Sequence, residues 1–239
     1  MDPSLPESLP PGRIIDSYGR SGRLVWMSDG RLPDADVWWR RLCAERGRTG
    51  LYPVLLEYCE DWHGHGADGG APVDATEYLR GRWEPGSWPD FPQWPGLATP
   101  ATTGRDPDTC AAEVATTVVR ENLAHCLALV QVERASDAPA ALHWTGGANH
   151  IGADELSAVL RSWEDRFGAR VVAFGHGSLH LSAATPPRDL HEAQILAAEH
   201  YLACPDVTER HGSPGSGVHA SRAPISRPPA RTASDAPPG

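Results

Sequence analysis

The chain has 239 residues, with 31 acidic side chains, 21 basic ones and a formal charge of −10; every basic residue is arginine. That balance, with no cationic cluster, argues against a nucleic-acid or anionic-membrane partner, because phosphate binding draws its affinity from clustered positive charge. Apolar residues at 40% and charged residues at 22% match a domain with a packed core; no run of about 18 apolar residues is present to cross a membrane, and the start MDPSLPESLPPGR lacks the features of a secretory signal, so a cytoplasmic location is expected.

In chain order, residues 1–12 hold four prolines and little to bury, and are expected to be extended or disordered. Leu24-Val25-Trp26-Met27, closed by Ser28-Asp29-Gly30, predicts a strand and turn. The spacing of Val37, Trp38, Arg41 and Leu42 predicts a helix over 34–46, with Asp34 or Asp36 as cap and Gly47 as stop. A second strand follows over 49–56, and residues 13–82 make an N-terminal α/β unit.

Residues 59–72 form a loop of four glycines and two histidines. His63 and His65, near Cys59 and Asp61, have metal-ligand chemistry, but a glycine-rich loop gives no rigid support for coordination, so a solvated loop is expected and no metal. The five cysteines are odd in number and contain no C-x-x-C pair, which reads as reduced, mostly buried thiols.

Residues 83–109 are a connector in which Trp83, Trp88, Phe91 and Trp94 alternate with prolines. Proline favours an extended course, and the aromatics are expected to pin the connector into grooves of its neighbours, the alternative being an exposed aromatic surface for a partner. Residues 110–206 then predict a helix over 110–122, a strand over 126–132, a loop holding Trp144, a helix over 154–167, two strands over 169–183 and a helix over 189–203. On the 154–167 helix, Leu156, Val159, Leu160, Trp163 and Phe167 fall within about 100° of arc. Asp154 is its expected cap and Gly168 its left-handed stop. With one more strand this order is a ferredoxin-like split β-α-β domain, making the fold class α+β. That strand is missing from the reading: residues 207–239 hold six prolines and three aliphatic side chains, and are expected to be a disordered tail that leaves the edge near Leu127 to Val132 open.

The run Trp144-Thr145-Gly146-Gly147-Ala148-Asn149, then LSAVLRSWEDRFGARVV over 156–172, LHLSAATPP over 179–187 and AAEHYLACPD over 197–206 resemble the bacterial family called domain of unknown function 4253. LPPGR, RTGLYPVLLE and PGLATP resemble its fuller members, so the likeness spans most of residues 5–206. The resemblance implies no activity. It implies a glycine where His143 stands, and a final aromatic strand that the tail lacks; the tail reads as a GC-rich coding region in another frame.

On the last helix, Leu190, Ala193, Ala197, Tyr201 and Cys204 form one stripe, with His200 at its edge. Glu199 lies opposite, among apolar residues on both sides, so it is expected to be partly buried and paired with Arg161, Arg166 or Arg120, with Glu164 reaching the same region. The Trp144 loop, with Gly146 for close approach and Asn149 to tie the turn, is either a ligand site or a self-bonded turn. Trp144, Gly146, Asn149, Arg161, Glu164, Glu199, His200 and Asp206 are therefore the candidate binding residues. No nucleotide, zinc-protease or serine-hydrolase motif occurs, and no cofactor is expected. The expected role is a non-catalytic binding or interaction module whose acidic surface suits a basic protein partner. The competing reading is a small-molecule enzyme using Glu199, His200 and Asp206 near the Trp144 loop, which requires those groups to converge in a pocket.

Overall fold

The computed structural model describes residues 5–15, 25–59, 73–86, 88, 90–205 and 217–220. Its described strands are β1 (Gly12–Ile15), β2 (Val25–Ser28), β3 (Leu51–Leu56), β4 (Cys126–Gln131), β5 (Arg170–Phe174), β6 (Ser178–Ser182) and β7 (Gly217–Ala220), joined in one open sheet of order β1-β2-β4-β3-β5-β6-β7. The pairing is antiparallel except for β3 with β5 and β6 with β7. The α-helices are α1 (Ala35–Thr49), α2 (Ala75–Gly81), α3 (Pro107–Arg120), α4 (Ala138–Ala141), α5 (Ala153–Phe167) and α6 (Leu190–Ala203). The fold class is α+β.

The centre of the sheet follows from the strand sequences. LYPVLL is buried at all six positions of β3, so this strand needs cover on both faces and can sit only in the interior of the sheet. It lies between β4 and β5, with Leu51 to Leu56 registered on Gln131 to Cys126. Pro53 has no N–H to donate, and the parallel ladder to β5 begins only past it, at Leu55 and Leu56. The Tyr52 hydroxyl donates to the Val171 carbonyl at 2.9 Å, in β5 beside the register shift between Val171 and Ala173. Helices α1 and α3 pack together over β3 to β6, while α5 packs with α2 and α4, and α2 also meets α6.

This order corrects the ferredoxin-like expectation. A strand from the N-terminal stretch stands between β4 and β5, and β7 pairs with β6 and not with β4. The edge expected to be open near Leu127 is the middle of the sheet, with β2 on one side of β4 and β3 on the other. The final strand absent from the expected order is β7, within the tail expected to be disordered.

Local chemistry sets most boundaries. Helix α1 runs through Gly47 and stops at Gly50, whose φ of 68° is the left-handed geometry that glycine adopts without strain. Asp106, Asp189 and Asp74 cap α3, α6 and α2 by accepting from Thr109, Glu192 and Glu77 N–H groups. Gly152, not Asp154, caps α5, and Gly168 ends it at φ 60°. Residues 5–11 are irregular, yet Pro6 is buried and Leu5 and Leu9 pack on the core.

Cys59 and Cys126 are joined by a disulfide, Cα to Cα 5.4 Å, which corrects the expectation of five reduced thiols. It ties the chain just past β3 to the first residue of β4, and Cys43, Cys110 and Cys204 are buried thiols outside any disulfide. His63, His65 and Asp61 lie outside the described residues.

Candidate functional site

Helix α6 is apolar nearly all round, so its period does not select a buried face. Of the expected stripe, Leu190 is 76% exposed and Ala197 is exposed, Ala193 and Tyr201 are half-buried and only Cys204 is buried, while Ile195, Ala198, Glu199 and Leu202 are buried. The cover over Glu199 is the connector. Phe91 is buried, Trp83, Trp88 and Trp94 pack on the core, and Trp83 meets Trp94 edge-on with ring centres 5.6 Å apart.

Glu199 is 0% exposed and its carboxylate has four donors. Oε1 accepts from the Ala98 backbone N–H at 2.7 Å and from Arg166 Nη1 at 3.0 Å; Oε2 accepts from Trp163 Nε1 at 2.8 Å and from Arg166 Nη2 at 2.6 Å. A bidentate guanidinium with two further N–H donors meets the conditions under which a buried carboxylate is tolerated. Arg166 Nη1 also donates to the Ala98 carbonyl at 2.7 Å, so both backbone groups of Ala98 are held. Two turns back, Glu192 accepts the Thr99 N–H at 2.7 Å and pairs with Arg188 at 2.8 Å. Two carboxylates on α6 thus bind consecutive connector N–H groups, and Arg166 is the partner among the three arginines considered for Glu199. A carboxylate so saturated has no free lone pair aimed at a substrate.

His200 stacks on the Trp163 indole at 4.2 Å, and its Nδ1 donates to the Leu196 carbonyl at 2.9 Å. Burial pulls its pKa below the ordinary value, partly offset by that hydrogen bond and by Glu199. Arg161 and Glu164 are engaged elsewhere: Arg161 Nε holds Asp137 at 2.5 Å, and Glu164 accepts from the Ser136 N–H and pairs with Arg170 at 3.2 Å. The expectation that Glu164 reaches the Glu199 region is therefore corrected.

The Trp144 loop packs against the β5–β6 turn. Trp144 is buried, its Nε1 donates to the Gly175 carbonyl at 3.0 Å, and its ring lies 5.6 Å from that of Phe174. A Cβ on Gly146 would fall 2.3 Å from the Trp144 ring and 2.6 Å from the His176 carbonyl oxygen, so only glycine fits there. Backbone bonds, Ala148 to Thr145 and both His150 and Ile151 to Gly147, close the turn, and Asn149 is exposed. The partners of Trp144 and of Glu199 are disjoint. Asp206 lies outside the described residues.

Sequence reasoning missed a cleft of about 350 Å³ where α6 ends, lined by Arg82, Glu84, Trp88, Tyr201, Leu202 and Pro205. Trp88 and Tyr201 meet edge-on at 5.8 Å and 82°, and Arg82 Nε donates to the Leu202 carbonyl at 2.8 Å. Three of these residues, Tyr201, Leu202 and Pro205, belong to the AAEHYLACPD run. The available signal was the pairing of an aromatic connector with that run.

Residues 126–223, from the start of β4 through β7, match the family described as Domain of unknown function (DUF4253). No curated protein and no solved structure matches the chain. Among the described residues, no helix is long and apolar enough to cross a membrane.

Proposed function

Taking residues 126–223 as a member of the DUF4253 family, we propose that the protein is a non-catalytic binding module that receives a segment of a partner protein in the cleft at the end of α6. One observation carries this reading: family-region residues Tyr201, Leu202 and Pro205 wall the cleft together with Trp88, while the motif carboxylate Glu199 is spent on the connector. The volume falls at the lower end of ligand sites, and a half-buried tryptophan against a tyrosine is the residue chemistry of binding hot spots. The overall charge of −10 favours a basic partner.

Photo-cross-linking tests it. A benzophenone amino acid at position 201 is expected to trap a discrete partner that the same group at Val37, exposed on α1, does not trap. Equal trapping at both positions, or none at 201, overturns the reading.

A further inference from the structure

We infer that the cleft accepts a positively charged side chain, arginine or lysine, from the partner segment; this rests on the cleft being the binding site. The Trp88 and Tyr201 rings stand 82° apart and form an aromatic corner, whose faces attract a cation through the ring quadrupole. Glu84, exposed in the cleft lining, has no recorded partner among the described residues. Helix α6 ends at the cleft, and the carbonyl end of a helix carries partial negative charge.

The lining's one cation, Arg82, balances Glu84 in formal charge, so the preference for a cation rests on the aromatic corner and on where Arg82 is directed. Arg82 Nε is committed to the Leu202 carbonyl, and its guanidinium lies over the Tyr78 ring at 5.4 Å. It therefore sits on the helix end and the Tyr78 ring with its charge retained, and Glu84 is the lining carboxylate that makes no ion pair among the described residues. The protein's net charge of −10 steers a basic segment toward this surface and repels an acidic one.

The test uses the full chain and four capped hexapeptides, acetyl-Gly-Ser-X-Gly-Ser-Gly-amide, with X arginine, lysine, citrulline or glutamate. Binding is followed by NMR at the Trp88 indole N–H, assigned with Trp88→Phe. The arginine and lysine peptides are expected to shift that signal, and citrulline, the neutral isostere of arginine, to bind about fivefold more weakly. Glu84→Gln, a change at an exposed residue, should weaken the arginine peptide about fivefold, and Glu84→Asp should restore part of the loss. Equal binding of citrulline or glutamate, or no effect of Glu84→Gln, overturns the cationic specificity. If no peptide moves Trp88 while cross-linking at position 201 still succeeds, this inference fails and the cleft reading stands; if both fail, both are wrong.

Discussion

Glu199 and Ala98 lie 101 positions apart and meet through a 2.7 Å hydrogen bond from the Ala98 N–H to the buried Glu199 carboxylate. Through it the connector is fixed on α6, and Arg166 fixes the same residue from the carbonyl side. Replacing Glu199 by glutamine removes the anion facing Arg166, which is only 17% exposed, and turns one acceptor into a donor. Breaking a buried pair while one partner remains costs about 3–5 kcal/mol. Denaturant unfolding of Glu199→Gln should show a loss of this order. Replacing Glu199 and Arg166 together by apolar residues should cost less than the two single losses combined.

His143 sits at φ 48°, a left-handed conformation that a residue with a Cβ adopts at a cost. It is the position where the family resemblance implies glycine, and the backbone explains why. His143→Gly should raise stability by about 1 kcal/mol, the order of the penalty for a Cβ in this conformation, read as a higher unfolding midpoint at unchanged slope.

The Cys59–Cys126 disulfide spans a sequence separation of 67. Chain-entropy arguments put its contribution at about 4 kcal/mol. Reduction should lower the unfolding midpoint accordingly, and a Cys59→Ala, Cys126→Ala double variant should be insensitive to reductant. Such bonds persist in oxidising surroundings, so alkylation of the chain in freshly lysed cells is a direct probe of the compartment expected from the sequence.

His200 has its pKa pulled below the ordinary value near 6.5 by burial. In the unfolded chain it takes up a proton as pH falls through that value; in the folded chain it does so only at lower pH. The unfolded state then binds more protons, so this group's contribution is fully present above about pH 6.5 and declines as pH falls toward the folded pKa. His200→Gln should flatten the stability profile in that window.

Elements whose signals are local were legible in the sequence. The α5 stripe of Leu156, Val159, Leu160, Trp163 and Phe167 is buried throughout, and Gly168 ends the helix as its conformational freedom implies. Helix α2 carries a local signal too, the capping pattern of Asp74 and Glu77 over a short helix. The position of β3 between β4 and β5 was not legible, because strand order depends on pairings far apart in sequence. Nor was the buried face of α6, since an all-round apolar helix is oriented by what covers it, here the connector and Arg166. The Trp88–Tyr201 corner was hidden for the same reason: each residue looked like core, and only the fold puts them together at a surface.

Glu199 holds the fold, whereas the proposed binding lies in the cleft. Measuring partner cross-linked per folded molecule, well below the unfolding transition, for Glu199→Gln and Trp88→Ala carrying the position-201 probe tests this most directly. Glu199→Gln should lose stability and keep its cross-link yield, and Trp88→Ala should lose most of the yield. A folded Glu199→Gln protein of wild-type stability that captures nothing would contradict the account.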